Sequence, residues 1–268
     1  MLKNLIKTGS IDLETYEVLK LNGDIDKVEA LLQGQVTSDI SELANNNAQM
    51  SCLLDHKGFI QADFILARLN NKIFIVVEKS LTENLKDQLS QFTKFYKVEV
   101  GLLDVKVKGL VLSSNEINNT ESFVYFKGDE YILSIDISNL ENGKKESKID
   151  LLEWKVANKI LLNYLFVKSD INKYRPNELN YDKSRVSFSK GCFRGQEVVA
   201  RVHYLGVNRR EFVTAVVQDR VAIDTKLKIH GETLKFLDHK IFTTHIKRDD
   251  FQNDIYKSIE FIRYPDSS

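Results

Sequence analysis

The sequence predicts an α+β fold that gives way to a small β unit at its C-terminal end. Three observations carry this. Strand-like runs alternate with capped helical patterns through the first two hundred or so residues. After Arg201 the pattern breaks into short strand-like pieces with few helical stretches, as in a small barrel. The chain's 268 residues are also enough for a large buried core and for more than one compact unit. The expected organisation is an α+β body over 1–204, built of two interleaved subdomains, and a small β-barrel over 205–268.

Taken in order, Ile11 to Leu21 alternates apolar and polar residues as a strand does. Asp24 precedes a helical pattern with Ile25, Val28, Leu31 and Leu32 on one side, and Gly34 stands where a helix would stop. Ala48 to Leu54 is a short apolar run ending at the turn signal Asp55-His56-Lys57-Gly58. Phe59 to Leu69 and Lys72 to Lys79 read as a hairpin turned at Asn70-Asn71. Ser80 and Glu83 form a capping-box pattern ahead of a helix through Leu81, Leu85, Leu89 and Phe92. Strand-like runs follow at Val98 to Leu112, Ser122 to Phe126 and Tyr131 to Ile137, then a solvated connection over Glu141 to Glu146. Asp150 to Tyr164 has helical spacing, with Leu151, Trp154, Ala157 and Leu161 on one face. Val167 to Ser189 has weak periodicity and many turn formers, which suits an ordered loop, and Glu211 to Val217 and Thr225 to Ile246 supply the late strands.

Composition narrows the function classes. Lys plus Arg and Asp plus Glu both number 38, so no net field draws the chain to nucleic acid or a membrane surface. No apolar run approaches the ~20 residues that span a bilayer, and the first residues lack the pattern of a secretory signal. Cys52 and Cys192 are far apart and neither has a nearby second cysteine, which fits a reducing cytoplasm and no metal site. Cys52, in an apolar run, reads as core.

The densest unusual segment is Lys190-Gly191-Cys192-Phe193-Arg194-Gly195-Gln196-Glu197. Its glycines permit a tight turn or close approach of backbone to a ligand. Lys190 and Arg194 flank the sulfur in sequence, and a cation or a helix starting near Gly195 would favour the thiolate. Glu197 and Arg201 are four apart and would pair along a helix for ~0.2–0.5 kcal/mol. From the residues alone the commoner reading of Cys192 is a small buried apolar residue; a functional thiol is the other.

This segment resembles the K-G-C-Y-x-G-Q-E signature of the YgfZ-type folate-binding family, relatives of the glycine-cleavage aminomethyltransferase. Leu31 to Ile40 is similar to the family's Q-G-Q-x-T-x-D segment, and Arg175 to Asp182 to its approach to the cysteine loop. The resemblance spans roughly residues 12 to 215. It implies an aminomethyltransferase-like fold, an α+β folate-binding body around a central hole with a C-terminal β-barrel. It also implies a tetrahydrofolate-type ligand, Cys192 as the functional thiol, and a role in making or repairing iron–sulfur enzymes, with tRNA modification as an indirect consequence. Trp154, the only tryptophan, matches an aromatic of the family's folate site, and Tyr16 lies near another.

The chain also departs from the family. The aminomethyltransferase carries paired carboxylates in the strand after the Gly58-type turn, whereas here Asp63 stands alone. Asp63 reads either as a carboxylate facing a folate nitrogen or as a polar residue on the outward face of an alternating strand. The Arg–Glu–Gly pattern expected after Trp154 is replaced by Asn158, Ile160 and Leu162. Losing that Glu removes an acceptor for the pterin's donor edge, and an unpaired ligand group costs ~1–3 kcal/mol. Trp154 has a second reading as plain core. His56, in a turn, and His203, after the cysteine motif, have no ligand partner at metal spacing. The expectation is therefore a folate-binding accessory protein with iron–sulfur client enzymes rather than a classical aminomethyltransferase. The alternatives are a folate-dependent one-carbon transferase and a folate-independent module that binds a protein or tRNA.

Overall fold

The structure is a computed structural model that describes residues 5–119, 122–137, 147–206, 209–223 and 227–264. The connection expected at Glu141 to Glu146 lies outside them. The chain divides into two compact units. The larger comprises Gly9–Ser147 and Phe166–Leu205; the other comprises Met1–Thr8, Lys148–Leu165 and Gly206–Ser268.

The larger unit holds two antiparallel sheets. Its five-stranded sheet contains β2 (Tyr16–Asn22), β3 (Ala48–Leu54), β4 (Ile60–Leu69), β5 (Lys72–Glu78) and β6 (Glu99–Leu103), in the order β3-β4-β5-β2-β6. The four-stranded sheet contains β1 (Gly9–Asp12), β7 (Lys108–Ser113), β8 (Phe123–Lys127) and β9 (Tyr131–Asp136), in the order β1-β7-β9-β8. The edge strands β3 and β8 lie beside each other. The single strand expected over Val98 to Leu112 is thus two strands in different sheets.

Two helices pack together in this unit, α1 (Ile25–Gln35) and α2 (Lys79–Tyr96). The spacing of Val28, Leu31 and Leu32 puts them on the buried face of α1, as Leu81, Leu85 and Leu89 are on α2. Each such side chain stabilises the fold by about 1.5–3 kcal/mol. Gly34 lies inside α1, which ends at Val36, where a bridge to Leu53 pulls the backbone into an extended conformation. Helix α2 is capped by Glu78 rather than Ser80, with the Glu78 carboxylate accepting from the Ser80 N–H at 2.9 Å. Asn70 and Asn71 both take positive φ, as a tight hairpin turn requires.

In the second unit, α3 (Leu151–Ile160) begins with a reciprocal capping box. The Asp150 carboxylate accepts from the Glu153 N–H at 2.8 Å, and the Glu153 carboxylate accepts from the Asp150 N–H at 2.9 Å. Of the residues placed on one face, Trp154 and Ala157 are buried and Leu151 is exposed. Helix α3 packs on a four-stranded antiparallel sheet of β10 (Arg210–Gln218), β11 (Ile229–Phe236), β12 (His239–Lys247) and β13 (Ile259–Ile262), in the order β11-β12-β10-β13. Among the described residues β11 and β13 are not paired, so hydrogen bonds do not close this sheet into a barrel. Ala215, Val217, Leu227 and Phe242 form a small core in this unit. No described helix is long and apolar enough to cross a membrane.

Two histidines meet across β11 and β12, His230 being buried and its Nε2 lying 2.8 Å from His245 Nδ1. Burial, then His245 and Lys228, lower the His230 pKa from 6.5 to about 4. The unfolded chain therefore takes up this proton at a pH where the native state refuses it. Stability should fall by about 2–3 kcal/mol as pH drops from about 6.5 towards 4. Urea midpoints measured across that range should show the loss, and His230→Gln should flatten it.

Candidate functional site

The three segments that carry the family resemblance converge in the larger unit, and two glycines make this possible. Asp55 closes the turn before β4 by accepting from the N–H groups of Lys57 and Phe59, at 2.9 and 2.8 Å. Gly58 then adopts φ +77 against Val198, a residue of α4 (Gln196–Leu205). Gly195, at φ +80, lies so close that a Cβ there would stand 2.5 Å from the Asp55 carbonyl oxygen. The helix expected near Gly195 is α4, and its Glu197–Arg201 ion pair is present on the surface at 2.8 Å.

The segment after α1 is tied to the cysteine motif by a set of buried hydrogen bonds. Lys190 is buried, and its ammonium donates to the carbonyls of Val36 and Ser38, both at 2.8 Å. Burial lowers its pKa to about 8, with Asp39 partly restoring it. Thr37 Oγ1 donates to the Arg185 carbonyl at 2.6 Å and accepts from the Cys52 N–H at 3.0 Å. The Ser187 N–H donates to the Thr37 carbonyl, and the Arg194 N–H to that of Gly34. The two motifs therefore serve as each other's hydrogen-bond partners.

Asp63 projects from β4 into a second buried polar group. Arg185 Nε donates to its Oδ1 at 2.8 Å, Arg185 Nη2 to its Oδ2 at 3.3 Å, and the Tyr181 hydroxyl to Oδ2 at 2.7 Å. The guanidinium carbon lies 3.7 Å from the centre of the Tyr181 ring, and the Arg185 side chain is 3 % exposed. Burial opposes the charge of Arg185, but Asp63 and Tyr181 outweigh it, and the Arg185 pKa is raised. The outward-facing reading of Asp63 does not hold, because its carboxylate is 12 % exposed and ion-paired.

Tyr16 and Tyr125 border this group, both partly exposed. Burial raises the pKa of each, and the charges of Asp63 and Arg185 reach both. Burial also raises Tyr181 and pushes the Cys52 thiol up to about 12. Sequence reasoning missed Arg185 and Tyr125. Arg185 lies in a segment without periodicity, and Tyr125 in a strand of the other sheet, so neither carried a signal. Tyr181 lay within a quoted motif but drew no role.

The remaining candidates fall as follows. Cys192 is exposed, and Gly191 has open space where a Cβ would be. The two cations that flank Cys192 are committed elsewhere, Lys190 to the carbonyls above and Arg194 to Gln88 Oε1 at 2.8 Å. The exposure of Cys192, and the burial that both hides Cys52 and raises its pKa, set the order of reaction. Iodoacetamide at neutral pH should modify Cys192 and spare Cys52, which peptide mass mapping would show. His56 is exposed, and the His203 ring stacks on Phe188 at 3.7 Å. Among the described residues no three His, Cys, Asp or Glu side chains form a metal site.

Trp154, in the other unit, is buried, and its indole N–H has no partner. Asn158 is satisfied internally, donating to the Trp154 carbonyl at 2.8 Å and accepting from Asn163 at 2.6 Å. Leu162 has φ +59, a left-handed conformation that suits glycine.

No family model matches the chain. It is 29 % identical over 230 residues to an uncharacterized protein of Haemophilus influenzae, covering 78 % of this chain and 73 % of that one. It is 25 % identical over 225 residues to the tRNA-modifying protein YgfZ of Vibrio atlanticus, covering 76 % and 69 %. Among solved structures it superposes on the glycine cleavage system aminomethyltransferase T of Bartonella henselae with a TM-score of 0.61. That match covers 92 % of this chain and 81 % of the other at 15 % identity, which speaks for the fold. The resemblance first read from three short segments thus extends over about three quarters of the chain, which is similar in sequence to YgfZ proteins and has an aminomethyltransferase-like fold.

Proposed function

We propose that this protein is a cytoplasmic, reduced-folate-binding accessory factor that supports the assembly or repair of iron–sulfur enzymes and acts on tRNA modification only through them. The observation that favours this over a one-carbon transferase is the commitment of Asp63. The single carboxylate of that strand is held by Arg185 and Tyr181 and has no free charge with which to stabilise a cationic intermediate.

The residues present fit a reduced folate in chemical type. Tyr16 and Tyr125, both half-buried, stand beside a polar group, which suits a flat heterocycle. Gln35 has a buried side-chain carbonyl without a partner in the same unit, an acceptor for a pterin's donor edge where the family's Glu is missing. A reduced folate, when bound, supplies a nitrogen that can carry a one-carbon unit. The chain's own residues bind and orient it, and Cys192 stands as the exposed thiol of the motif. The C-terminal unit is read as a small barrel, supported by its four antiparallel strands and by the fold likeness.

Calorimetric titration with tetrahydrofolate tests the reading. Saturable binding without release of formaldehyde from methylenetetrahydrofolate is expected. Turnover would favour the transferase, and no heat at millimolar ligand would favour a folate-independent module.

A further inference from the structure

The Asp63–Arg185 pair bears on which reduced folates are accepted, an inference that rests on the folate reading above. A lone carboxylate near a bound ligand favours the ligand's positively charged form. Several one-carbon folates are cationic, among them methenyltetrahydrofolate, whose bridging carbon shares a positive charge with two nitrogens. Tetrahydrofolate is uncharged at its ring nitrogens near neutral pH. In this chain Asp63 does not act alone, since a guanidinium meets both of its oxygens at 2.8 and 3.3 Å from a side chain that is 3 % exposed.

We propose that Arg185 is a specificity-determining residue that neutralises Asp63, so the site holds uncharged reduced folates and has no preference for cationic one-carbon forms. Tyr16, Tyr125, Tyr181 and Cys52 are all held in their neutral forms. Tyr181 adds to the arrangement by donating to Oδ2, the oxygen that Arg185 Nη2 also meets. Removing either charged partner should therefore give the cluster a net charge of known sign.

The test is calorimetric affinity for tetrahydrofolate and for fresh methenyltetrahydrofolate in mildly acidic buffer, expressed as a ratio. Three full-length proteins are compared, the wild type, Arg185→Gln and Asp63→Asn, each checked for native circular dichroism. The wild type should bind the two ligands within about threefold of each other. Arg185→Gln should shift the ratio at least about tenfold towards the cation, and Asp63→Asn at least about tenfold against it, the range a nearby unpaired charge commonly moves. Because the two variants push in opposite directions, either one that folds decides the matter. A ratio unchanged in a folded variant overturns the role of Arg185 while leaving folate binding intact. Absence of binding of both ligands to the wild type overturns the folate reading itself, and this inference with it.

Discussion

Asp63→Ala should cost the fold about 3–5 kcal/mol, because it strands the guanidinium of Arg185 in a site where its side chain is only 3 % exposed. Its Nη1 reaches Ser184 Oγ at 3.1 Å, but that hydroxyl is a neutral acceptor. The stacked Tyr181 ring contributes a cation–π contact, which is smaller than a lost buried ion pair. Urea unfolding followed by circular dichroism gives the loss directly. In a double-mutant cycle, Asp63→Ala with Arg185→Leu should recover part of it, since no uncompensated charge then stays buried. A single-variant loss below about 1 kcal/mol would mean that the pair is solvated and that the buried cluster is not a structural anchor.

Gly195→Ala should be nearly as damaging, by about 2–4 kcal/mol. The residue sits at φ +80, where a side chain costs about 1–2 kcal/mol, and its Cβ would meet the Asp55 carbonyl at 2.5 Å and Leu54 Cβ at 3.1 Å. The nearest clash is with backbone, so the turn itself must move. Gly191→Ala, in the same motif, meets nothing within 4 Å and should change stability by less than about 0.5 kcal/mol. Equal effects from the two substitutions, measured by thermal unfolding, would refute the close packing of the Gly58 turn on the start of α4.

Much of this architecture was legible because hydrophobic period and turn residues report local structure. The hairpin around Asn70-Asn71, the run from Ala48 to Leu54, and the Glu197–Arg201 pair all appear as the sequence suggests. The errors have a common cause in partners distant along the chain. Alternation continues through Val105 and Val107, so nothing local reveals that the chain leaves one sheet at Leu103 and enters another at Lys108. Gly34 has helical neighbours to the end of α1, and the helix stops where Val36 finds Leu53. Strand β13 is too short to show a pattern. Asp63 looked solvated because its strand alternates, and only the fold brings Arg185 to it from 122 residues away.

The lysine that ties the two motifs together also sets when the site can exist. Its acceptors at Val36 and Ser38 lie 154 and 152 positions earlier in the chain. Contacts of such long sequence separation form late, after the entropy of closing the intervening loop has been met. At a synthesis rate of about 5–20 residues per second, roughly 8–30 seconds separate the appearance of Val36 from that of Lys190. Through that interval the first strands and α1 can pair, but the carbonyls at the end of α1 wait without their ammonium. The nascent protein can therefore begin to pair its first strands before its site can form, and the core is completed only when Tyr181 and Phe193 arrive with the same late segment.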